Sequence, residues 1–404
     1  MSDNKWRRRL SLLRADTKAI WRTEIDAIKG DAGVLLFFFF VPIIYPFLYA
    51  AFYNTEVVEE SKLVVVDEDN SSLSREYIRR VDASQEVEVV GVVPTIEQAE
   101  QMIMDRDAYG YARIPKNFQA DLYRGADQVH VELMSLGNVL LYYKNYMVAL
   151  NNNALQMGAE IHAERAGKPT KALTDIEVRP VYQDGKGYYN PVAGIGTFLM
   201  PPILILILQQ TLILGICMLA ATARESNDTH YLIPSTIHGP MRMVINKSVI
   251  YFVLYFLLSI WVLCIVPYCL RIPILTTPMR MLIFIVPYLL SVIFMSIGLS
   301  FLFKRREVVL IYIVPLSLVF FFLTGVVWPW QNIPWLWKSV AYLIPSTHAV
   351  QGYIALLGTG ASLYDILHQC RALWVLTALY FTIASTGYYF QYRHGRQRRD
   401  SAQL

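Results

Sequence analysis

The chain has 404 residues, 55% of them hydrophobic and 13% aromatic, with a mean hydropathy of +0.36. A soluble domain of this size does not carry so apolar a composition, so the sequence reads as an integral membrane protein. The net charge of +4 is small, no nucleic-acid partner is expected, and the informative property is where the positive residues lie. None of the four cysteines (Cys217, Cys264, Cys269, Cys370) falls in the long polar segment after the first apolar run. Nor do they have metal-ligand spacing, which argues against a disulfide framework and a zinc site.

In chain order, residues 1–32 read as an amphipathic helix and residues 33–53 as a first membrane span. More than thirty residues precede that span and no small-x-small cleavage site follows it, so it is expected to be retained. Scanning for runs of about 20 apolar residues gives six spans in all: Gly33–Phe52, Pro191–Ala221, Ser248–Tyr268, Leu282–Phe303, Val308–Val327 and Arg371–Phe390. The expected fold is thus a membrane α-helical protein with six transmembrane helices, carrying an inserted α/β domain over 54–190.

Within that insert, strand-like runs Lys62–Asp67, Glu86–Val93, Tyr109–Ile114 and Val129–Met134 alternate with helical stretches starting near Ser71, Thr95 and Lys116. Helices between strands imply at least a partly parallel sheet. Thr95 with Gln98 has the spacing of a capping box. Asp67, Glu68 and Asp69 read as a turn after a strand rather than a catalytic pair. From Leu136 the pattern changes: Leu140, Tyr143, Met147, Leu150, Ala154, Met157 and Ile161 recur by three and four, the mark of a long amphipathic helix. Its stripe either covers its own sheet or forms a seam for a second protomer or an adaptor protein. Ile176–Gln183 is a candidate last strand, and Gly185–Pro191 a turn back to the bilayer.

Between spans five and six, Pro329, Pro334 and Pro345 each remove a backbone donor and break the helix, with Gly325 at the start and four of the eight tryptophans (Trp328, Trp330, Trp335, Trp337) nearby. Broken backbone at membrane depth survives only where protein or water satisfies it, and indole rings favour the headgroup level. A re-entrant hairpin over 329–348 is expected before the last span. Gln209, Gln210 and Thr211 form the clearest polar cluster inside a span. Burying amides in lipid is costly without partners, so they face a chain interface or a substrate path, or bond between helices.

Orientation follows from Lys and Arg. Clusters precede span one (Lys5, Arg7, Arg8, Arg9, Arg14, Lys18, Arg22), separate spans two and three (Arg224, Arg242, Lys247) and four and five (Lys304, Arg305, Arg306), and follow span six (Arg393, Arg396, Arg398, Arg399). All four fall on one side only with six spans and both termini cytoplasmic, which makes the insert extracytoplasmic and 393–404 a basic cytoplasmic tail. The chain has no GxxxxGK[ST], so it binds no ATP through a P-loop. The interiors of the six spans hold no Asp, Glu, Lys, Arg or His except Arg371 at an end. Autonomous carriers and intramembrane proteases need such groups.

Several stretches together resemble the ABC-2 type permeases, the membrane subunits of ATP-binding-cassette exporters. TEIDAIKGDAGVLLFFFFVPIIYPFLY, with Glu24 and Asp31, matches the family's cytoplasmic helix and first span. VVVDEDNSSLSREYI and YGYARIPKNFQADLYRG are similar to stretches of its outer domain. ATARESNDTHYLIPSTIHGPMRMVINK supplies the Arg224–Glu225 pair, Thr229, Pro234 and Lys247, and Gly325–Pro329 with Ile344–Pro345 match its outer hairpin. The segment Asp228–Leu232 departs from the usual Thr-acidic-x-Leu pattern, so its fit to a partner would be individual.

The resemblance implies a non-enzymatic transporter subunit that moves an unidentified substrate out across the bacterial inner (plasma) membrane. Two copies of a separate ATPase subunit, which binds ATP and Mg, would drive it; no cofactor is expected in this chain. A second permease chain, identical or related, and a periplasmic adaptor protein complete the expected partners. Glu24, Asp31, Arg224, Glu225 and Thr229 would receive the ATPase's movement, the region 223–247 acting as coupling loop; interfacial anchoring is the other reading of Arg224 and Glu225. Two further classes stay open: an anchored receptor, and an ATPase-driven regulator of cell-envelope processes that transports no solute.

Overall fold

The computed structural model describes residues 2–52, 59–124, 129–136, 140–165, 194–232 and 239–402. The chain divides into two compact units, Val57–Gly185 and the pair of segments Met1–Glu56 and Lys186–Leu404. The expected strand Ile176–Gln183, the turn Gly185–Pro191 and Pro234 lie outside the described residues.

The second of these units begins with α1 (Ser2–Gly30). Ile20, Glu24 and Ile28, four residues apart and so on one face, are all buried. Asp31 ends this helix and caps the next: its Oδ1 accepts from the Gly33 and Val34 amides at 3.0 and 3.1 Å. The helix it opens, α2 (Ala32–Phe52), has a π-helical turn at Leu36–Phe40 that turns Phe38 inward, fully buried, while Phe39 and Phe40 face out.

The α/β unit contains β1 (Ser61–Asp67), α3 (Ser72–Asp82), β2 (Val87–Val93), α4 (Ile96–Met104), β3 (Gly110–Ile114), α5 (Phe118–Arg124), β4 (Glu132–Ser135) and α6 (Leu140–Arg165). The sheet order is β2-β1-β3-β4, with β1 parallel to both β2 and β3 and β3 antiparallel to β4. Leu63 to Val66 of β1 are buried on both faces, as a central strand demands. Leu63 and Val65 pack under α3 and α6, and Val64 and Val66 under α4.

Two details differ from expectation. Thr95 sits at the N-cap of α4, in a mostly exposed first turn, without a side-chain bond; the reciprocal box is instead made by Ser71 and Ser74 on α3, both bonds 3.0 Å. In α6, Leu150, Met157 and Ile161 are buried, but Tyr143, Met147 and Ala154 are exposed. The inward positions are Asn145, Tyr146 and Ala149, since Asn145 Nδ2 donates to Ser61 Oγ (2.9 Å) and the Tyr146 hydroxyl to the Lys62 carbonyl (2.7 Å). The helix thus covers its own sheet. Asp67 closes the turn after β1, accepting from the Asp69 and Asn70 amides and, at 2.7 Å, from Ser74 Oγ, while Glu68 pairs with Arg113; the acidic run is structural.

The remaining described helices of the unit that begins with α1 are α7 (Ile195–Glu225), α8 (Thr229–Leu232), α9 (Pro240–Cys269, with a π turn at Trp261–Ile265), α10 (Pro278–Ser300), α11 (Arg306–Leu323), α12 (Trp335–Tyr342), α13 (Pro345–Thr359) and α14 (Leu367–Ala402). Of the apolar stretch of α7, 89% is buried, against 22% for α2 and for α11, so α7 is the axis around which the others pack. Among the described residues five helices are long and apolar enough to cross a membrane: α2, α7, α9, α10 and α11. The expected sixth, inside α14, is not among them, because its threonines, serines and tyrosines lower its hydropathy. It nonetheless lies along α10, through Phe294 on Phe381 and Phe301 on Tyr388, both edge-on with ring centroids 5.1 Å apart. Span three also starts earlier than expected: α9 opens at Pro240, which brings Lys247 inside an apolar helix.

Candidate functional site

A buried charge cluster joins α1, α8 and α9. Glu24 is 1% exposed, and Lys247 Nζ lies 2.8 Å from its Oε2, with side-chain exposures of 1% and 4%. The other oxygen, Oε1, accepts from the Tyr231 hydroxyl at 2.9 Å and from the Tyr251 hydroxyl. The Lys247 ammonium also sits 3.5 Å over the Tyr231 ring, so its contact with Oε2 is a charge contact rather than a straight hydrogen bond. Burial, and then the Glu24 carboxylate beside it, push the Tyr231 phenol far above its ordinary range, so it stays a donor at every working pH. A pair this dry needs further hydrogen bonds to help hold the charge, which the two tyrosines supply at Oε1.

The other candidates for coupling face different ways. Asp31, besides capping α2, accepts from Arg306 Nη1 at 2.9 Å, tying the start of α2 to the start of α11. Arg224 turns inward: its Nη1 donates to the Ser300 (2.5 Å) and Phe303 (2.9 Å) carbonyls, satisfying the C-terminal end of α10, and its guanidinium lies 5.5 Å from the Phe301 ring. Glu225, next in sequence, is exposed. Thr229 opens α8, whose first turn is capped by Asp228 Oδ1 accepting from the Tyr231 amide at 3.2 Å. A cavity of about 440 Å³ lies among these groups, lined by Asp31, Gly33, Thr222, Asp228, Tyr231 and Arg306 among others.

The polar cluster of α7 is spent largely on other helices. Gln209 clamps α13: its Oε1 accepts from the Ser346 amide (2.9 Å) and its Nε2 donates to Ser346 Oγ (3.0 Å). Thr211 bonds back to the Ile207 carbonyl and accepts from the Tyr255 hydroxyl at 3.1 Å. Gln210 reaches the Ile313 carbonyl of α11, while its Oε1 is buried with no partner among the described residues. Of the residues expected to form a hairpin, Gly325 has φ +81°, a left-handed turn just past α11. Pro329 precedes a 3-10 turn, Pro334 precedes α12, and Pro345 is the first residue of α13, so each proline sits where no helical donor is needed.

The family model for ABC-2 family transporter proteins matches residues 32–386. The chain belongs to that family. It is therefore a multi-pass membrane protein and the membrane-domain subunit of a transporter, a permease whose kind works with an ABC ATPase subunit. Comparison with curated proteins gave no match.

Sequence reasoning missed the partners that define the permease's buried cluster: Lys247, Tyr231, Tyr251 and, at the neighbouring cap, Arg306. In the sequence Arg306 reads only as a topology charge, and Lys247 as a topology charge and the end of the family-like coupling region. The usable signal was Glu24 itself, an acid standing in the apolar stripe Ile20–Glu24–Ile28, which needs a buried cation.

Proposed function

We propose that this permease exports an unidentified substrate across a bacterial inner membrane. Two permease chains, identical or related, would work with two ATPase subunits. Both termini and the Arg224–Lys247 region would be cytoplasmic and the α/β unit extracytoplasmic, within reach of an adaptor protein. In this reading α14 supplies the sixth crossing, and α12 and α13 form the re-entrant pair, which the exposed Trp328, Trp335 and Trp337 would anchor at the interface.

The observation that carries the reading is the Glu24 cluster. A push on the exposed residues Glu225 to Asp228, just before α8, would reach Tyr231, and through Glu24 and Lys247 both α1 and α9. Arg224 would deliver the same displacement to the end of α10. Glu24 and Arg224 thus act as transmitters inside the chain, with Glu225 offered to the ATPase and Thr229 at the start of the helix that moves. Gln210, with its unpaired oxygen, remains the candidate for a substrate path or chain interface.

Glu225→Ala tests this. An exposed charge contributes only about 0–1 kcal/mol to stability, so the variant should express and assemble with the ATPase like the parent. Its stimulation of the partner's ATP hydrolysis in proteoliposomes should fall sharply, because lost contact removes the differential binding between the two states. The chain alone should hydrolyse no ATP. Parent-like stimulation by the variant would reduce the loop to an anchor.

A further inference from the structure

A second groove, separate from the Glu24 cluster, opens between α1 and the first turns of α9. Its volume is about 360 Å³ and its lining is Leu13, Arg14, Thr17, Lys18, Trp21 and Arg242. No acid is among these residues. Trp21 closes it on one side, its Nε1 donating to the Asn246 carbonyl at 3.0 Å. Arg242 closes the other: Nη2 donates to the Leu13 carbonyl (2.5 Å) and to Thr17 Oγ1 (2.9 Å), while Nη1 is buried with no hydrogen-bond partner among the described residues. Arg14 and Lys18 are exposed cations on the groove wall, and an anion in the groove would make charge-assisted hydrogen bonds with them. The first turn of α9, which begins at Pro240 with no side-chain cap, adds its partial positive charge.

The groove continues into an apolar track. Met241, Ile245, Val249, Val253 and Leu257 are all exposed and recur every four residues, so they form an oblique ridge that winds along the outside of a membrane-length apolar helix. Trp21 at the junction has the amphipathic ring that favours the headgroup level.

We propose that this groove binds the phosphate-bearing headgroup of an anionic phospholipid, with Arg14, Lys18 and Arg242 around the phosphate and an acyl chain along the Met241–Leu257 track. The three cations alone would equally fit an acidic protein surface. The track favours the lipid, because it leads from the cations onto the face of a membrane-length apolar helix, where an acyl chain joined to the bound headgroup can follow it. Bound there, the lipid would staple α1 to α9 from outside, on the opposite terms to the ion pair that staples them from within.

Native mass spectrometry of the detergent-purified chain, titrated separately with phosphatidylglycerol, phosphatidylcholine and inorganic phosphate, tests the assignment. Arg14 and Lys18 are exposed, so Arg14→Gln/Lys18→Gln keeps the fold, and Arg14→Lys/Lys18→Arg keeps the charge. Phosphatidylglycerol should bind the parent and the charge-keeping variant alike, and the neutral variant roughly thirtyfold more weakly, the worth of two interfacial cations; phosphatidylcholine should not distinguish them. Equal binding of the two lipids to the parent, or of phosphatidylglycerol to parent and neutral variant, would overturn the proposal. So would inorganic phosphate displacing the bound lipid at similar concentration, or a neutral variant that keeps its lipid and loses only the ATPase.

Discussion

Glu24 and Lys247 show how a single residue pair can be both costly and indispensable. Both charges are buried, and their mutual attraction offsets the desolvation only while Tyr231 and Tyr251 donate to the carboxylate's Oε1. Removing one partner should therefore hurt more than removing both. Lys247→Met should destabilise the detergent-solubilised chain by about 3–5 kcal/mol, read as a loss of thermal stability and of folded yield. Glu24→Leu/Lys247→Met should recover most of that. If the single variant melted with the parent, the pair would have to be reached by water, and the account of a dry transmitter would fall. The same logic explains why Arg224, though next to Glu225, behaves as its opposite: its guanidinium is spent on the α10 carbonyls, while Glu225 stays in water.

At the scale of elements, the contact between α2, α7 and α9 is set by one glycine and one ring. A Cβ at Gly215, in the middle of α7, would run into the Phe38 ring, which the π turn of α2 has carried inward. Phe38 in turn stands edge-on to Tyr251 (5.9 Å) and Tyr255 (5.4 Å) of α9. Glycine within a helix costs up to about 1 kcal/mol relative to alanine, so its place here is explained by the approach it permits. Gly215→Ala should destabilise by about 1–3 kcal/mol as an overpacked core does, and Gly215→Ala/Phe38→Leu should relieve it. Additive losses in that double-mutant cycle, measured by thermal unfolding, would show that the two residues do not meet. Gln209 does comparable work for α13, meeting the Ser346 amide that a helix start leaves without an internal partner.

For the whole molecule, the distribution of Lys and Arg leads to one arrangement, and topology is its direct test. A cysteine introduced at Ser84, in the α/β unit, should react with a membrane-impermeant maleimide added to cells whose outer membrane has been permeabilised. One at Asn227, beside α8, should react only after lysis. The reverse pattern would overturn the orientation and with it the cytoplasmic placing of the coupling face. A second consequence concerns α14: it falls short of the five other helices in apolar character, yet its charges Arg393 to Arg399 and those at Lys304 to Arg306 belong on the same side only if it crosses.

By itself the sequence determined the membrane class, four of the strands and the helices between them, the five apolar spans, and the family through its motifs. These follow from local properties: apolar run length, alternation, and residues such as Pro329, Pro334 and Pro345 that block a helix wherever they stand. Only the tertiary structure decided which polar residues are paired and which are free. Glu24 and Lys247 are 223 positions apart, Asp31 and Arg306 275, and Gln209 and Ser346 137, as the residue numbers give directly. No periodicity links positions so distant. The heptad-like stripe of α6 shows the same limit within one helix. Its residue types allowed two neighbouring faces, and the hydrogen bonds of Asn145 and Tyr146 to β1, formed only when sheet and helix dock, chose the one that is buried.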